Sequence, residues 1–107
     1  MDKVFRALSS RHRRAVLDAL YERGGQSLSE LCADHRMSRQ AMSRHISVLE
    51  AAGLLIARWE GREKLHYLNP VPLRQIHDRW LRKFDGVTAD LLIGIKRGLE
   101  RRPRLSR

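Results

Sequence analysis

The sequence predicts a mainly α-helical fold with one small β-hairpin, and three observations support this prediction. Apolar residues recur at spacings of three and four on either side of residues 54–68, which is the period of amphipathic helices. Residues 54–68 instead read as two short strands around Gly61. Serine and glycine residues occur where helices are expected to begin and end. The length of 107 residues leaves room for one domain with one core.

Two helices are predicted at the start of the chain. Ser9 and Ser10 can supply N-cap oxygens for the second helix, over residues 11–23. We expect Gly24 and Gly25 to end it, because glycine adopts the left-handed C-cap conformation at little steric cost. The apolar positions of the first helix are Val4, Phe5 and Leu8, and the core candidates of the second are Val16, Leu17 and Leu20.

A third, short helix is predicted after a capping-box pattern. The Ser27 hydroxyl can accept from the backbone of Glu30, while the Glu30 carboxylate reaches back to the backbone of Ser27. Residues 36–38 then form a turn into the next helix. The expected buried face of the third helix consists of Leu28, Leu31 and Cys32.

A fourth helix, over residues 38–52, has two unlike faces when side chains are placed about 100° apart. The apolar face consists of Ala41, Met42, His45, Ile46, Val48, Leu49 and Ala52. The polar face consists of Arg39, Gln40, Ser43, Arg44 and Ser47. Guanidinium, amide and hydroxyl groups match base edges and phosphates in a DNA major groove. The pattern therefore predicts a helix-turn-helix whose second helix recognises DNA.

Two strands, residues 54–59 and 64–68, are predicted next, joined by residues 60–63. A hairpin directly after a recognition helix is the wing of a winged helix-turn-helix. Three basic residues at or near its tip, Arg58, Arg62 and Lys64, could reach a sugar-phosphate backbone or a minor groove.

A long fifth helix is predicted to begin with Asn69 as its cap and Pro70 at its first position. Its apolar residues are Leu73, Ile76, Trp80, Leu81, Phe84, Val87, Leu91, Leu92 and Ile95, with Gly86 as an expected kink. This is more apolar surface than a small core uses, so we interpret the excess as a dimer face. Trp80 and Phe84 could alternatively line a ligand pocket. We expect one domain over residues 1–100 and a basic tail over residues 101–107.

The net charge of +10 favours a polyanionic partner, because neutralising phosphates releases counterions. A merely basic soluble surface is the alternative.

No apolar run reaches the ~20 residues that span a bilayer, and no signal peptide is recognisable. The single cysteine, Cys32, excludes an internal disulfide and fits a reducing cytoplasm. No catalytic constellation or phosphate-binding loop is present, so neither an enzyme nor a cofactor is expected.

Four segments together resemble the ArsR-like winged helix-turn-helix family: residues 7–17, 29–31, 38–55 and 67–70. The match extends over residues 4–70. The resemblance implies a cytoplasmic homodimeric transcriptional regulator, usually a repressor, that dimerises through its first and last helices. The implied DNA-binding residues are Ser38, Arg39, Gln40, Ser43, Arg44, Arg58, Arg62 and Lys64. The implied dimer interface consists of Val4, Phe5, Leu73, Ile76, Trp80, Phe84 and Leu91.

The sequence departs from the metal-sensing members of that family. Their site in the third helix needs a Cys-x-Cys pair, whereas Cys32 is followed by Ala33 and Asp34. Their site in the last helix needs Asp-x-His and a later histidine, whereas His77 precedes Asp78 and no histidine follows. One thiol and scattered histidines do not supply the three or four ligands of a zinc-type site, so we expect no metal.

The sequence thus predicts a homodimeric repressor that binds a pseudo-palindromic operator of double-stranded DNA through helix 38–52 and wing 58–64. Two alternatives remain, a basic winged-helix protein-interaction module without operator binding and a ligand- or metal-responsive repressor.

We expect His45 to be half-buried and hydrogen-bonded to backbone or phosphate. Arg13 and Arg14 either bind phosphate or pair with an intramolecular carboxylate. Cys32 is expected to be a small core residue, with a redox switch as the alternative.

Overall fold

The computed structural model describes residues 1–82. Its elements are α1 (Asp2–Leu8), α2 (Arg11–Glu22), α3 (Leu28–His35), α4 (Arg39–Ala51), β1 (Leu55–Glu60), β2 (Glu63–Leu68), α5 (Val71–Ile76) and a π-helical turn at His77–Leu81. This order confirms the predicted fold class and the winged helix-turn-helix arrangement. The chain forms two compact units, residues 1–73 and residues 74–107.

The core of the first unit is built from α1 to β1. Its buried apolar residues are Val4, Ala7, Val16, Leu17, Leu20, Leu31, Met42, Ile46, Leu49, Leu54 and Leu55. All three core candidates of α2 and three apolar positions of α4 are among them, which confirms the predicted buried faces of these two helices. Of the residues predicted to be buried in α1 and α3, only Val4 and Leu31 are buried, and Phe5 is exposed. Burying each large side chain contributes roughly 1.5–3 kcal/mol before the entropic cost of ordering it. The core therefore fixes the side of α4 that faces outward.

Serine side chains begin three of the helices, as the sequence predicts. The hydroxyls of Ser10, Ser27 and Ser38 each accept from the backbone N–H three positions on, at 3.3, 3.2 and 3.1 Å. The capping box of α3 is complete, because Glu30 Oε1 accepts from the Ser27 backbone at 3.1 Å. This backbone bond, with the neighbouring Arg23 guanidinium, holds the pKa of Glu30 below its ordinary value of 4.5. The start of the helix-turn-helix is thus fixed locally.

The end of α2 differs from the prediction that a left-handed glycine caps it. The C-cap is Arg23 in an extended conformation, and the Gln26 amide donates to two carbonyl oxygens at that end at 3.1 and 2.8 Å. Gly25 does have a positive φ of 76°, but it lies beyond the cap. A Cβ on Gly24 would lie 3.0 Å from Tyr67 Cδ2. The glycines therefore admit the Tyr67 ring, while a side chain from the following segment caps the helix.

The wing is an antiparallel hairpin with a two-residue turn. Its register pairs Glu60 with Glu63 and Trp59 with Lys64, so each strand extends one residue nearer the turn than predicted. Gly61 has a φ of 63°, as expected at the first central position of a type II′ turn. Since side chains alternate between the faces of a strand, this register decides which residues can face α4.

The fifth helix is shorter than the sequence predicts. Asn69 Oδ1 accepts from the Val71 backbone at 3.2 Å, so the asparagine caps the helix, but α5 begins at Val71 and not at Pro70. After Ile76 the α-helix gives way to the π-helical turn, an interruption that the sequence analysis did not predict, since it expected a kink only at Gly86. Spacings of three and four cannot reveal such a turn, because it adds one residue while the apolar pattern continues. Several predicted positions lie outside the described residues, namely Phe84, Gly86, Val87, Leu91, Leu92, Ile95 and tail 101–107.

Candidate nucleic-acid interface

The outward face of α4 is polar along its whole length. Its exposed residues are Arg39, Gln40, Ser43, Arg44 and Ser47, and the N-cap Ser38 is exposed as well. The opposite face contributes Met42, Ile46 and Leu49 to the core. The two-faced helix inferred from the sequence is therefore present, and its donors and acceptors point away from the core.

A groove separates α4 from the wing, and we call it the wing groove. It is lined by Ser27, Leu28, Ser29, Arg39, Ser43, Ile46, Ser47, Glu50, Trp59, Arg62, Glu63, Lys64 and His66. Four of the predicted DNA-binding residues are in this set, two from α4 and two from the wing. The fold thus brings one side of the polar face of α4, formed by Arg39, Ser43 and Ser47, and the basic end of the hairpin to one concave surface.

Arg39 is anchored at the junction of α3 and α4. Its Nη1 donates to Ser29 Oγ at 2.8 Å, and the side chain remains exposed. A guanidinium carries five N–H donors in a planar fork. One bond to a neutral hydroxyl therefore orients Arg39 and leaves donors for a phosphate or a base edge.

Lys64 lies on the wall of the wing groove, not at the tip of the wing. Its Nζ is 3.5 Å from Glu50 Oε1 on α4. The tip itself is formed by Gly61 and Arg62, since these are the two residues between the paired Glu60 and Glu63. Of the predicted basic residues of the wing, Arg62 is therefore the one at the turn.

Arg58 is exposed but faces away from the wing groove. It pairs with Leu65, and alternation along β1 places it on the face opposite Trp59. The structure consequently does not bring Arg58 together with α4. A contact between Arg58 and DNA would require the other face or the edge of the hairpin.

Arg13 and Arg14 both bind the end of α1. Arg13 Nε donates to the Ala7 carbonyl at 2.8 Å and its Nη2 donates to the Arg6 carbonyl at 3.1 Å. Arg14 Nη1 donates to the Leu8 carbonyl at 2.7 Å. Carbonyl oxygens at the C-terminal end of a helix are favourable acceptors for a cation. The intramolecular partners of both arginines are thus backbone carbonyl groups and not the carboxylate considered from the sequence.

His45 is half-buried at the back of α4. Its Nδ1 is 3.4 Å from Arg13 Nη1, and its ring centroid is 5.7 Å from that of His12. Arginine can only donate, so Nδ1 is the acceptor and the ring is neutral in this contact. Partial burial and the positive charges of Arg13, His12 and Arg44 lower the pKa of His45 from its ordinary 6.5. His45 is thus half-buried as expected, but its partner is the side chain of Arg13 and not the expected backbone group or phosphate.

Trp59 is a residue of the wing groove that the sequence reasoning did not single out. Its side chain is 69% exposed, although it belongs to a strand and is strongly apolar. The signal that could have identified it was the hairpin register, because a two-residue turn at Gly61 and Arg62 places Trp59 opposite Lys64. The four-residue connection predicted over residues 60–63 implies this same pairing, so the register was available from the sequence, but the face of the hairpin that lies toward α4 was not.

The predicted dimer residues fall into three groups. Val4 is only 7% exposed and packs in the core of the first unit, whereas its neighbour Phe5 is 45% exposed. Leu73 lines an apolar cleft of the first unit with Leu8, Leu17, Tyr21 and Leu68, beside Arg14 and Asp18. Ile76 and Trp80 belong to the second unit, and Phe84 and Leu91 lie outside the described residues.

The described residues also bear on metal binding and on membrane insertion. Within residues 1–82, no group of three or more His, Cys, Asp and Glu side chains is arranged to hold a metal ion. None of the helices described is long and apolar enough to cross a membrane. Cys32 is a free, half-buried thiol.

Comparison with known proteins identifies the family. A family model described as a helix-turn-helix domain matches residues 8–56. The uncharacterized HTH-type transcriptional regulator YuzN of Bacillus subtilis (strain 168) is 36% identical over 86 residues, covering 75% of this chain and 94% of YuzN. A solved ArsR-like transcriptional regulator from Rhodococcus sp. RHA1 has 30% identity and a TM-score of 0.71, covering 95% of this chain and 92% of that one. This chain belongs to the ArsR-like family.

A second relative is also named as a helix-turn-helix regulator of transcription. The HTH-type transcriptional regulator Rv2034 of Mycobacterium tuberculosis (strain ATCC 25618 / H37Rv) is 34% identical over 89 residues, covering 79% of this chain and 82% of Rv2034. As an ArsR-like protein the chain is a DNA-binding regulator of transcription and not an enzyme. The resemblance inferred from the sequence motifs is thereby confirmed.

Proposed function

We propose that this ArsR-like chain is a cytoplasmic, homodimeric repressor that binds a pseudo-palindromic operator and blocks transcription by occupying promoter DNA. In this proposal α4 enters the major groove and the wing lies against the neighbouring backbone. Two copies would place their recognition helices in successive major grooves, about 34–36 Å apart.

The observation that carries the proposal is the wing groove. Arg39 and Ser43 of α4 and Arg62 and Lys64 of the wing line the same concave surface. When a helix occupies the major groove, the sugar-phosphate strand bordering that groove runs beside it. A groove with cations on both walls therefore suits one DNA strand, while Gln40 and Arg44 remain on the exposed face of α4 to meet base edges.

The net charge of +10 supports the same partner. Attraction to phosphates supplies affinity for any duplex and carries no sequence information. Specificity must then come from the side chains on α4, since an arginine bidentate to guanine or a glutamine bidentate to adenine discriminates by about 1–3 kcal/mol. The two kinds of contact can be separated experimentally.

The test begins with selection of bound duplexes from a randomised pool, followed by affinity measurements on the selected duplex and on a shuffled duplex of equal composition. Arg44→Ala is expected to lose about 1–3 kcal/mol on the selected duplex and much less on the shuffled one. Arg62→Ala is expected to weaken binding to both duplexes alike. It should also reduce, by about one, the slope of the logarithm of the binding constant against the logarithm of salt concentration. Arg6→Ala is the matched control, because Arg6 is exposed on α1 and does not line the wing groove.

Two results would contradict parts of this function. Equal losses on both duplexes for Arg44→Ala would remove Arg44 from base recognition. The absence of any salt-sensitive complex would favour the alternative of a protein-interaction module.

Repression is tested separately by placing the selected site over a promoter, where expression of a reporter gene should fall when the protein is present. Candidate metals, thiol oxidants and small molecules added to the complex would reveal an inducible repressor by releasing DNA.

A further inference from the structure

Trp59 exposes a large aromatic ring on the wall of a basic groove. The side chain is 69% exposed, and it lines the wing groove with Arg62 and Lys64 on the wing side and Ser43 and Ser47 on α4. An aromatic ring left in water on a strand forgoes the gain from burial. A ligand that covers the ring would recover that gain.

The hairpin register fixes the direction of the indole. Trp59 is paired with Lys64, so both side chains emerge on the same face, and Ile56 lies on the opposite face. Arg62 lies at the turn, between the paired Glu60 and Glu63. The indole therefore lies among cationic groups that would contact successive phosphates of one strand.

The proposed function supplies the surface that fits this ring. With α4 in the major groove, the strand passing through the wing groove presents phosphates and, between them, the C–H faces of deoxyribose. Phosphates suit Arg62 and Lys64, whereas an indole suits an apolar, sequence-independent face. The bases of a duplex point away from its backbone, so stacking on a base would require the duplex to open.

We propose that Trp59 is a DNA-positioning residue whose indole packs against the deoxyribose face of the backbone strand between α4 and the wing. The proposal rests on the proposed DNA-binding function and adds an apolar contact to its ionic ones. This contact fixes the position of the wing along the DNA strand. It contributes affinity on every duplex and no preference for sequence.

The first test uses tryptophan fluorescence. The chain has two tryptophans, so Trp80→Phe leaves Trp59 as the sole reporter and Trp59→Phe leaves Trp80 as the matched control. Saturating duplex DNA is expected to alter the emission of Trp59 and to protect it from acrylamide quenching. Trp80 should respond less. Unchanged Trp59 emission in a sample that forms a complex by gel shift would overturn the proposal.

The second test uses affinity. Trp59→Ala is expected to weaken binding about ten-fold on both the selected and the shuffled duplex, and Trp59→Phe should retain most of the affinity. Ile56→Ala is the control for loss of an exposed apolar side chain, because Ile56 is 49% exposed on the other face of β1. Circular dichroism and thermal unfolding of all variants establish that the hairpin remains folded.

The outcomes separate this proposal from the function on which it rests. Wild-type affinity in Trp59→Ala would overturn the role of Trp59 and leave DNA binding standing. A loss confined to the selected duplex would assign Trp59 to base reading and overturn the sugar contact. Failure of the unmodified chain to bind any duplex would overturn the proposed function, and the role of Trp59 with it.

Discussion

Single residues in the wing groove carry charges of both signs, which matters for a surface proposed to bind phosphates. Glu50 and Glu63 line the groove together with its cations, and Glu50 Oε1 lies 3.5 Å from Lys64 Nζ. Both partners of this pair are partly exposed, so the pair itself contributes little to stability. Its larger effect is on binding, because Glu50 neutralises a cation and repels an approaching phosphate.

Glu50→Gln is accordingly expected to strengthen DNA binding by about two- to five-fold and to steepen its dependence on salt concentration. The substitution removes one negative charge and frees Lys64 while keeping the length of the side chain. Glu22→Gln, an exposed change on α2 outside the groove, controls for net charge. Titration by fluorescence anisotropy at several salt concentrations measures both effects. Weaker binding would mean that Glu50 orients Lys64 for its contact.

His45 gives the fold a dependence on pH. Its pKa in the folded chain lies below 6.5 because of partial burial and the charges of Arg13, His12 and Arg44. The unfolded chain therefore binds more protons than the folded chain as pH falls through this range. The contribution of a neutral His45 to stability is complete above pH 6.5 and is lost as pH falls towards the folded-state pKa.

The measurement is urea unfolding at several pH values between 5 and 7.5. The free energy of unfolding should rise with pH in the unmodified chain, and the rise should be smaller in His45→Gln, whose amide oxygen can still accept from Arg13. The difference between the two slopes isolates His45 from the other histidines. Parallel slopes would exclude it as a source of the pH dependence.

At the scale of elements, features fixed by neighbours in sequence could be predicted and features fixed by distant contacts could not. The Ser27–Glu30 capping box and the two faces of α4 follow from spacing alone, and both are present. The cap of α2 depends on Gln26, which is placed by its pairing with His66 forty positions on. Arg36 ends α3 with a φ of 49°, a conformation that favours glycine or asparagine.

The candidate site divides in the same way. The polar face of α4 is a property of helical period, so its members could be listed from the sequence. The hairpin register, with Trp59 opposite Lys64, also follows from the predicted connection over residues 60–63, but the face of the hairpin that lies toward α4 is set by packing between segments distant in sequence. The structure places Trp59 and Lys64 together on the groove wall and Arg58 on the opposite face of the hairpin.

For the whole molecule, the proposed function requires two copies, because a single recognition helix reads only half of a pseudo-palindromic site. The first unit offers apolar surface suited to self-association. Phe5 and Tyr21 are 45% and 78% exposed, and Tyr21 also lines the apolar cleft that reaches Leu68 and Leu73. Burial of this surface against a second copy would offset the small core of a short chain.

Phe5→Glu is therefore expected to raise the dissociation constant of the dimer about ten-fold or more, because it puts a charge into an apolar interface. Ile56→Glu introduces the same charge at a similarly exposed position on the wing and should leave association unchanged. Sedimentation velocity over a range of protein concentrations measures the dimer, and binding to a full operator and to a half-site measures its consequence. Phe5→Glu should weaken binding to the full operator and spare the half-site, since each recognition helix is intact and only their coupling is lost. Dimers as stable in Phe5→Glu as in Ile56→Glu would remove α1 from the interface.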